Sequence, residues 1–390
     1  MRETGRDSRA VSRFLAPASG PGPEEILAGE LGKRFSDYRV RWNAAKAFRE
    51  IPSYPLHVDY ELLSACNLRC PMCLFAGGHT AEGRAGRGGQ ETARVGAEKA
   101  SGPDRPSAGA PMGGEPVAGT PTDDGPKGAG NGNRSRTKSL SVGLVKELIA
   151  EGAARGQASM GFGGLWEPLL SPDVPGLVEH GTRLGLVDSM MNTNGLLLTR
   201  DVSRDLIEAG LTRLMVSLDA ATEGTYALMR PGSDFGRVTD NVLGFLEVRR
   251  ALGRRLPLLR LSFCVTSLNE GELQEFLGRW KGVCDFFSVQ RYGDFGAGSP
   301  VFPRDPPGPE PSGRCAQPFK RLAVRHDGTA LPCCDLSGIP LAVGSALSGS
   351  LEGVWRGDKI ALLREAVLKD SPEALPEACR KCRGKYGPPS

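Results

Sequence analysis

From residue 56 to residue 292 the chain alternates short apolar runs with amphipathic helical stretches, and that alternation leaves few architectures open. LHVDYELLS, QASMGFGG, LVDSMMN, RLMVSLDA, PLLRLSFCVT and CDFFSVQRY read as strands. Between them SVGLVKELIAEGAA and residues 174–184, 200–209, 237–252 and 270–280 read as helices. Parallel strands need a crossover, and a helix supplies it, so six βα-type units predict an α/β protein with a parallel sheet or barrel. Such folds place their ligands at the C-terminal ends of the strands. Side chains in the loops that follow the strands are therefore the first to weigh.

One stretch breaks the pattern. Residues 77–138 read GGHTAEGRAGRGGQ, GPDRPSAGAPMGGEP and GAGNGNRSR, with hardly an aliphatic side chain. Such a segment cannot bury enough apolar surface to offset its ordering entropy, so it is expected to be a disordered insertion, with a lid as the alternative. His79 inside it is read as solvent-exposed rather than as a ligand. Residues 1–54 carry arginines and serines but no continuous apolar segment of the secretory kind, and are expected to be a flexible leader with one helix near residues 24–50. The formal charge of +4 is small and its basic residues are scattered, which argues against nucleic acid as a partner. No run of eighteen apolar residues argues for a membrane span. A cytoplasmic, reducing setting is the resulting expectation, and there ten cysteines point to metal or redox chemistry before disulfides.

CNLRCPMC, residues 66–73, gathers three of those cysteines at the end of the first strand. A structural zinc site takes four ligands, commonly as two CxxC pairs, and no fourth ligand lies close by. Iron–sulfur clusters also prefer four thiolates, so a cluster on three keeps one iron open for a ligand. The C-x3-C-x2-C spacing resembles the signature of the radical S-adenosylmethionine (radical SAM) superfamily. The resemblance implies Cys66, Cys70 and Cys73 as ligands of a [4Fe–4S] cluster, with the amino and carboxylate groups of S-adenosylmethionine on the fourth iron. Met72 stands where that family usually has an aromatic residue, and would pack against adenine.

Three further segments are similar to the family's cofactor contacts. GFGGLWEPLL resembles its GGEP-type segment, in which Gly163 and Gly164 would let the backbone approach the cofactor's amino group and Glu167 would accept from the ammonium. MNTNG and VSLDA resemble its ribose and carboxylate contacts, which implies Asn194 and Ser217, with Asn192 behind them. Read alone, Asn194-Gly195 is a turn and Ser217 a strand residue. The resemblance covers about residues 56–292 outside the insertion and implies a partial (β/α)6 barrel.

The C-terminal quarter carries its own cysteine pattern. Seventeen residues separate Cys315 from Cys333, and CRKC follows at 379–382. KRLAVRHDGTALPCC reads as a hairpin turning at DGT. By coordination alone four cysteines in two pairs suit zinc as well as iron. Behind a radical SAM core, however, Cys315, Cys333, Cys379 and Cys382 resemble the ligands of the SPASM/twitch auxiliary-cluster domains. The spacing is that of the shorter twitch type, as in the 2-deoxy-scyllo-inosamine dehydrogenases. The implied organisation is a leader over 1–54, a barrel over 55–292 and an auxiliary [4Fe–4S] domain over 293–390. Cys264 and Cys284 read as buried small residues, and Cys334 as a bystander beside a ligand.

The resemblance also implies a chemistry. An external one-electron reductant such as flavodoxin or ferredoxin would feed the first cluster, and cleavage of S-adenosylmethionine would give a 5′-deoxyadenosyl radical. Oxidation of the substrate radical by the auxiliary cluster would complete a two-electron oxidation. The segment before residue 56 offers only one plausible helix, near residues 24–50, too little for a winged-helix peptide-recognition module, which favours a small polyol, sugar or related metabolite over a peptide. Arg291, Tyr292 and Asp219, at strand ends, are the candidates to meet it. A peptide-modifying maturase is the alternative. A non-catalytic iron–sulfur or zinc protein would explain the cysteines but not GFGGLWEPLL and VSLDA.

Overall fold

The computed structural model describes residues 2–3, 12–16, 20–73, 139–164, 166–292, 314–333, 336–347 and 350–383. The insertion at 77–138 with His79, and also Cys334, lie outside the described residues.

Six parallel strands form the centre: β3 (His57–Tyr60), β4 (Ser159–Phe162), β5 (Asp188–Thr193), β6 (Arg213–Ser217), β7 (Leu258–Val265) and β8 (Phe286–Arg291). They lie side by side in chain order, each crossing to the next through helices. The crossovers are α2 (Val142–Ala154), α3 (Val174–Arg183), α4 (Arg200–Glu208), the pair α5 (Glu223–Met229) and α6 (Phe235–Ala251), and α7 (Leu273–Trp280). This is the α/β partial barrel expected from the alternation, with α5 as a short helix that the sequence pattern had not shown.

The period-2 geometry of a strand sorts its side chains onto two faces. Val58, Tyr60, Met160, Phe162, Leu214, Val216, Leu259, Leu261 and Phe263 turn toward the helices and share one core with Val145, Leu148, Leu177, Val242 and Phe245. The intervening residues occupy the other face and are mostly polar: His57, Asp59, Ser159, Asp188, Arg213, Arg260 and Ser262. Serine caps α2 and threonine caps α4 and α5, in each case by accepting a backbone N–H from the first turn.

At the start of the strands the polar face is covered by α1 (Pro23–Lys46), which bends at Gly32, where φ is 68°. Its Leu27, Phe35 and Tyr38 pack with Leu56, Leu258 and Phe286. Burying side chains of this size contributes about 1.5–3 kcal/mol each, so α1 is an integral plug. The polar residues beneath it are paired. Arg213 binds Asp188 at 2.9 Å and Glu24 at 3.1 Å. His57 lies 2.5 Å from the Ser159 hydroxyl and 2.9 Å from Asp59, which also binds Arg321 at 2.9 Å.

The N-terminal residues correct the reading of 1–54 as a leader with a single helix. Strand β2 (Ser12–Ala16) pairs antiparallel with β8, and β1 (Arg2–Glu3) pairs with β2. No local signal announces these strands, because what they satisfy is the open edge of β8.

On the opposite edge the sheet continues into the C-terminal region. β9 (Arg321–Val324) pairs in parallel with β3, His57 opposite Arg321, and forms a hairpin with β10 (Thr329–Leu331). The turn requires Gly328, whose φ is 81° and whose absent Cβ would fall 2.4 Å from Leu347 Cγ. Beyond β11 (Gly344–Ser345), helices α8 (Leu351–Arg356), α9 (Asp358–Lys369) and α10 (Glu377–Arg383) complete the region. Trp355 donates to the Pro52 carbonyl at 2.7 Å, and Arg364 stacks on its ring while donating to Pro318.

Candidate functional site

Immediately after β3 the chain runs into the cysteine loop, which its neighbours hold from two sides. Glu167 N–H, in the glycine-rich segment after β4, donates to the Ala65 carbonyl at 3.0 Å. The Asn194 side-chain amide, at the end of β5, donates to Asn67 Oδ1 at 2.7 Å. Within the loop Leu68 N–H points at Cys66 Sγ at 3.5 Å and Cys73 N–H donates to the Cys70 carbonyl at 3.0 Å. Cys70 is buried, while Cys66, Cys73 and Met72 are half-buried. Burial pushes the Cys66 thiol up and the Cys70 thiol to about 11. A metal that took them as ligands would displace those protons.

The glycine-rich segment lies across this loop. Gly164 has φ 107°, and a Cβ there would stand 2.5 Å from Glu61 Oε1. A Cβ on Gly163 would meet Asn192 at 3.1 Å. The left-handed φ excludes a side chain at Gly164 and Asn192 crowds one at Gly163, so both positions present backbone. Asn192 is exposed and Ser217 half-buried, and Ser217 is paired in register with Ser262.

Glu167, expected as an acceptor for the cofactor's ammonium, is also built into the protein's own hydrogen bonds. It is buried, and its carboxylate accepts from Thr193 Oγ1 at 2.6 Å, Asn194 N–H at 2.8 Å and Leu169 N–H at 3.1 Å. It braces the glycine-rich segment against the end of β5, a partnership that the spacing of GFGGLWEPLL alone does not show. Asn194 joins the same brace, its Oδ1 accepting Leu196 N–H at 3.0 Å.

Asp219 is corrected as a substrate-contacting candidate. It is 1% exposed, in the left-handed region at φ 57°. One carboxylate oxygen accepts Cys264 N–H at 2.7 Å and the other accepts two N–H groups of Arg230. Arg230 in turn lies 3.9 Å from Cys70 Sγ. Arg291 is exposed and Tyr292 half-buried at the end of β8, where Tyr292 N–H donates to the Val265 carbonyl.

Sequence reasoning missed Arg230, Asn67 and the buried pair Glu61–Arg325, 3.3 Å apart. In no case are the partners close in sequence, so no spacing marks them. The only local signal was at Glu61 and Arg325, charged residues directly after strands β3 and β9.

The second site lies in the C-terminal region. Cys315, Cys333, Cys379 and Cys382 all line one cavity of about 600 Å³ including its open mouth, walled by Pro318, Leu363, Val367 and Leu375. Cys333 follows β10, and Cys379 and Cys382 lie on α10. Among the described residues no three His, Cys, Asp or Glu side chains converge on a point that one metal ion could occupy. The four cysteines share the wall of that one cavity, a placement from which a cluster whose metal atoms each take one thiolate could be held.

Comparison with known proteins agrees with this geometry. Residues 60–249 match the model of the radical SAM superfamily, and residues 315–383 match that of the SPASM iron–sulfur cluster-binding domain. A GTP 3′,8-cyclase of Rhodopirellula baltica is 45% identical over 84 residues, 21% of this chain and 23% of that protein. One from Xanthomonas axonopodis pv. citri is 27% identical over 157 residues, 40% of this chain and 43% of its own length. The chain thus matches less than half the length of these curated relatives. Among solved structures, SuiB of Streptococcus suis matches with TM-score 0.55 at 15% identity, covering 90% of this chain and 75% of its own. BtrN in complex with AdoMet and 2-DOIA matches with TM-score 0.45 at 14% identity, covering 83% and 91%.

Proposed function

The chain belongs to the radical SAM superfamily and carries a C-terminal SPASM iron–sulfur domain, and from that premise we propose that it oxidises a small polyol, sugar or related metabolite. The two domains imply a [4Fe–4S] cluster that binds S-adenosylmethionine and an auxiliary iron–sulfur site. Held at the Cys66–Cys73 loop, cluster and cofactor would supply the means to remove hydrogen from unactivated carbon.

The chain's own residues provide the setting. Cys66, Cys70 and Cys73 are the ligands, three thiols that leave one metal position for the cofactor. Backbone at Gly163 and Gly164 lies open to the cofactor, with Asn192, Ser217 and Met72 around it. Arg291 and Tyr292 stand at the rim on the β8 side, where we place the substrate. An external one-electron donor of the flavodoxin or ferredoxin kind supplies the reductant.

The observation that carries the oxidation is the convergence of Cys315, Cys333, Cys379 and Cys382 on one cavity. Held by these four thiolates, an auxiliary [4Fe–4S] cluster would have no open iron, so it would serve as an electron acceptor rather than bind substrate. Replacing Cys379 and Cys382 by Ala tests this under anaerobic conditions against a panel of polyols and sugars. The expected result is 5′-deoxyadenosine without oxidised product. A folded variant that lacks the second cluster and still makes full product overturns the reading. The alternative is a peptide substrate, since SuiB has been solved bound to its precursor peptide SuiA. The same assay with peptides decides between them.

A further inference from the structure

We propose that Arg230 raises the reduction potential of the cluster on the Cys66–Cys73 loop, acting through Cys70 and held in place by Asp219. The inference rests on the reading of that loop as a cluster site, and it adds a positioning and tuning pair that the cysteine motif does not contain.

Arg230 follows the last turn of α5, its N–H still bonded to the Tyr226 carbonyl at 2.7 Å but its backbone already non-helical. Arg230 is buried, with 8% exposure, beside a Cys70 equally buried at 8%. Nε donates to Asp219 Oδ2 at 2.9 Å, and Nη2 donates to the same oxygen. That leaves Nη1 directed at Cys70 Sγ, 3.9 Å away.

The aspartate is itself fixed. Its Oδ1 takes the Cys264 N–H of β7, and its carbonyl takes the Asn269 side-chain amide at 2.8 Å. Asn269 is locked in turn by Thr266 N–H at 2.7 Å and by the Cys264 carbonyl at 2.8 Å. A left-handed φ of 57° at a non-glycine residue persists only where its surroundings over-determine it, and here they do. The ends of β6 and β7 thus hold an arginine against the middle cysteine of the triplet.

Donors and positive charge beside a cluster sulfur stabilise the reduced state and raise the potential, more so where water is excluded. Asp219 and Arg230 cancel as net charge, but the cation is the member that faces the sulfur. Removing either partner must therefore move the potential in opposite directions. A purely structural pair would give no such reversal.

The test is an EPR-monitored redox titration of reconstituted full-length protein without S-adenosylmethionine, so that a residue serving only to grip the cofactor would change nothing. The comparison is made at the potential where the wild-type loop cluster is half reduced. There Arg230→Gln is expected to lower the reduced-to-oxidised ratio tenfold or more, which is about 59 mV for a one-electron couple. Asp219→Asn is expected to raise it. The auxiliary cluster, whose ligands come from the C-terminal region, serves as internal control and should not move. Arg230→Gln leaves a buried carboxylate unpaired, so the double variant Asp219→Asn/Arg230→Gln guards against misfolding. It should fold, keep its iron and shift down by less than Arg230→Gln. A folded, iron-loaded double variant within twofold of wild type overturns the proposal, as does a shift of both single variants in the same direction. Wild-type protein that takes up no iron at the loop overturns the cluster reading itself, a result recognisable before any variant is made.

Discussion

Glu167 offers a local test of how the glycine-rich segment is held. In Glu167→Gln the size is kept but one oxygen becomes an NH2 donor. If the remaining oxygen stays with Thr193 and Leu169, as Oε1 does now, the new amide faces Asn194 N–H, donor against donor. In the opposite orientation both Thr193 and Leu169 lose their acceptor. Either way at least one buried donor is unsatisfied, which costs about 1–3 kcal/mol. At 1.4 kcal/mol per tenfold, that is roughly a 5- to 150-fold rise in the opening equilibrium of the brace. Global denaturation is a poor readout in a cluster-bearing protein of this size. Hydrogen exchange by mass spectrometry reads it locally, in peptides covering 166–171 and 190–197. Exchange there should accelerate by that factor, while peptides from α9 remain unchanged. Unchanged exchange at Asn194 and Leu169 would show that the carboxylate is not the brace.

Three further outcomes follow from the geometry. Anaerobically reconstituted protein should hold about eight irons, and the triple Ala variant of Cys66, Cys70 and Cys73 about four, with no cleavage of S-adenosylmethionine; iron analysis and 5′-deoxyadenosine release check both. Gly164→Ala forces a side chain into φ 107° against Glu61, a strain of about 1–3 kcal/mol. It should weaken binding of S-adenosylmethionine at least tenfold by equilibrium dialysis while iron content holds. Acid should destabilise the plugged end of the sheet in two stages. Burial keeps His57 below its ordinary value, so protonation of the unfolded chain drains stability as pH falls below about 6.5. Burial alone would raise Asp59, but Arg321 and His57 outweigh it and hold the group at about 2, so its contribution goes as pH falls from about 3.8 toward 2. Hydrogen-exchange protection factors in peptides covering 57–60 and 159–162, corrected for the intrinsic pH dependence of exchange, should therefore differ less between pH 7.5 and pH 5 in His57→Gln than in wild type at equal iron content.

The parallel core was legible because each strand buries one face completely, and Leu214 and Val216 or Leu259 and Leu261 announce that face in a few residues. The helices were legible for the same reason, except α5, whose seven residues span too few turns to establish a period. Strand β2 and the β3–β9 pairing were not legible, because they satisfy edges that exist only once the sheet has formed. The cysteines could be grouped by spacing, since clustered soft ligands have few other uses. Arg230 and Glu61 could not. Their partners lie 11 and 264 positions away, and a buried ion pair leaves no periodic trace. Asp219 shows the limit from the other side. Its place at a strand end was read from the sequence, but not the fact that its carboxylate would already be taken.

The position of β3 explains how the two cysteine sites relate. Its C-terminal end leads into the Cys66–Cys73 loop. Its flank toward β4 meets the strand that carries the glycine-rich segment, and its other flank meets β9, whose hairpin leads to Cys333. Both sites are therefore built from neighbouring strands of one continuous sheet, not from two bodies joined by a linker. The Glu61–Arg325 pair sits on that seam, with Glu61 Oε1 against the open face of Gly164. Breaking a buried pair leaves an uncompensated charge and costs far more than an exposed one, so the seam resists shear between the loop and the hairpin. That continuity gives a physical reason why the first strand of the barrel, and no other, carries both the metal loop and the docking edge for the second domain.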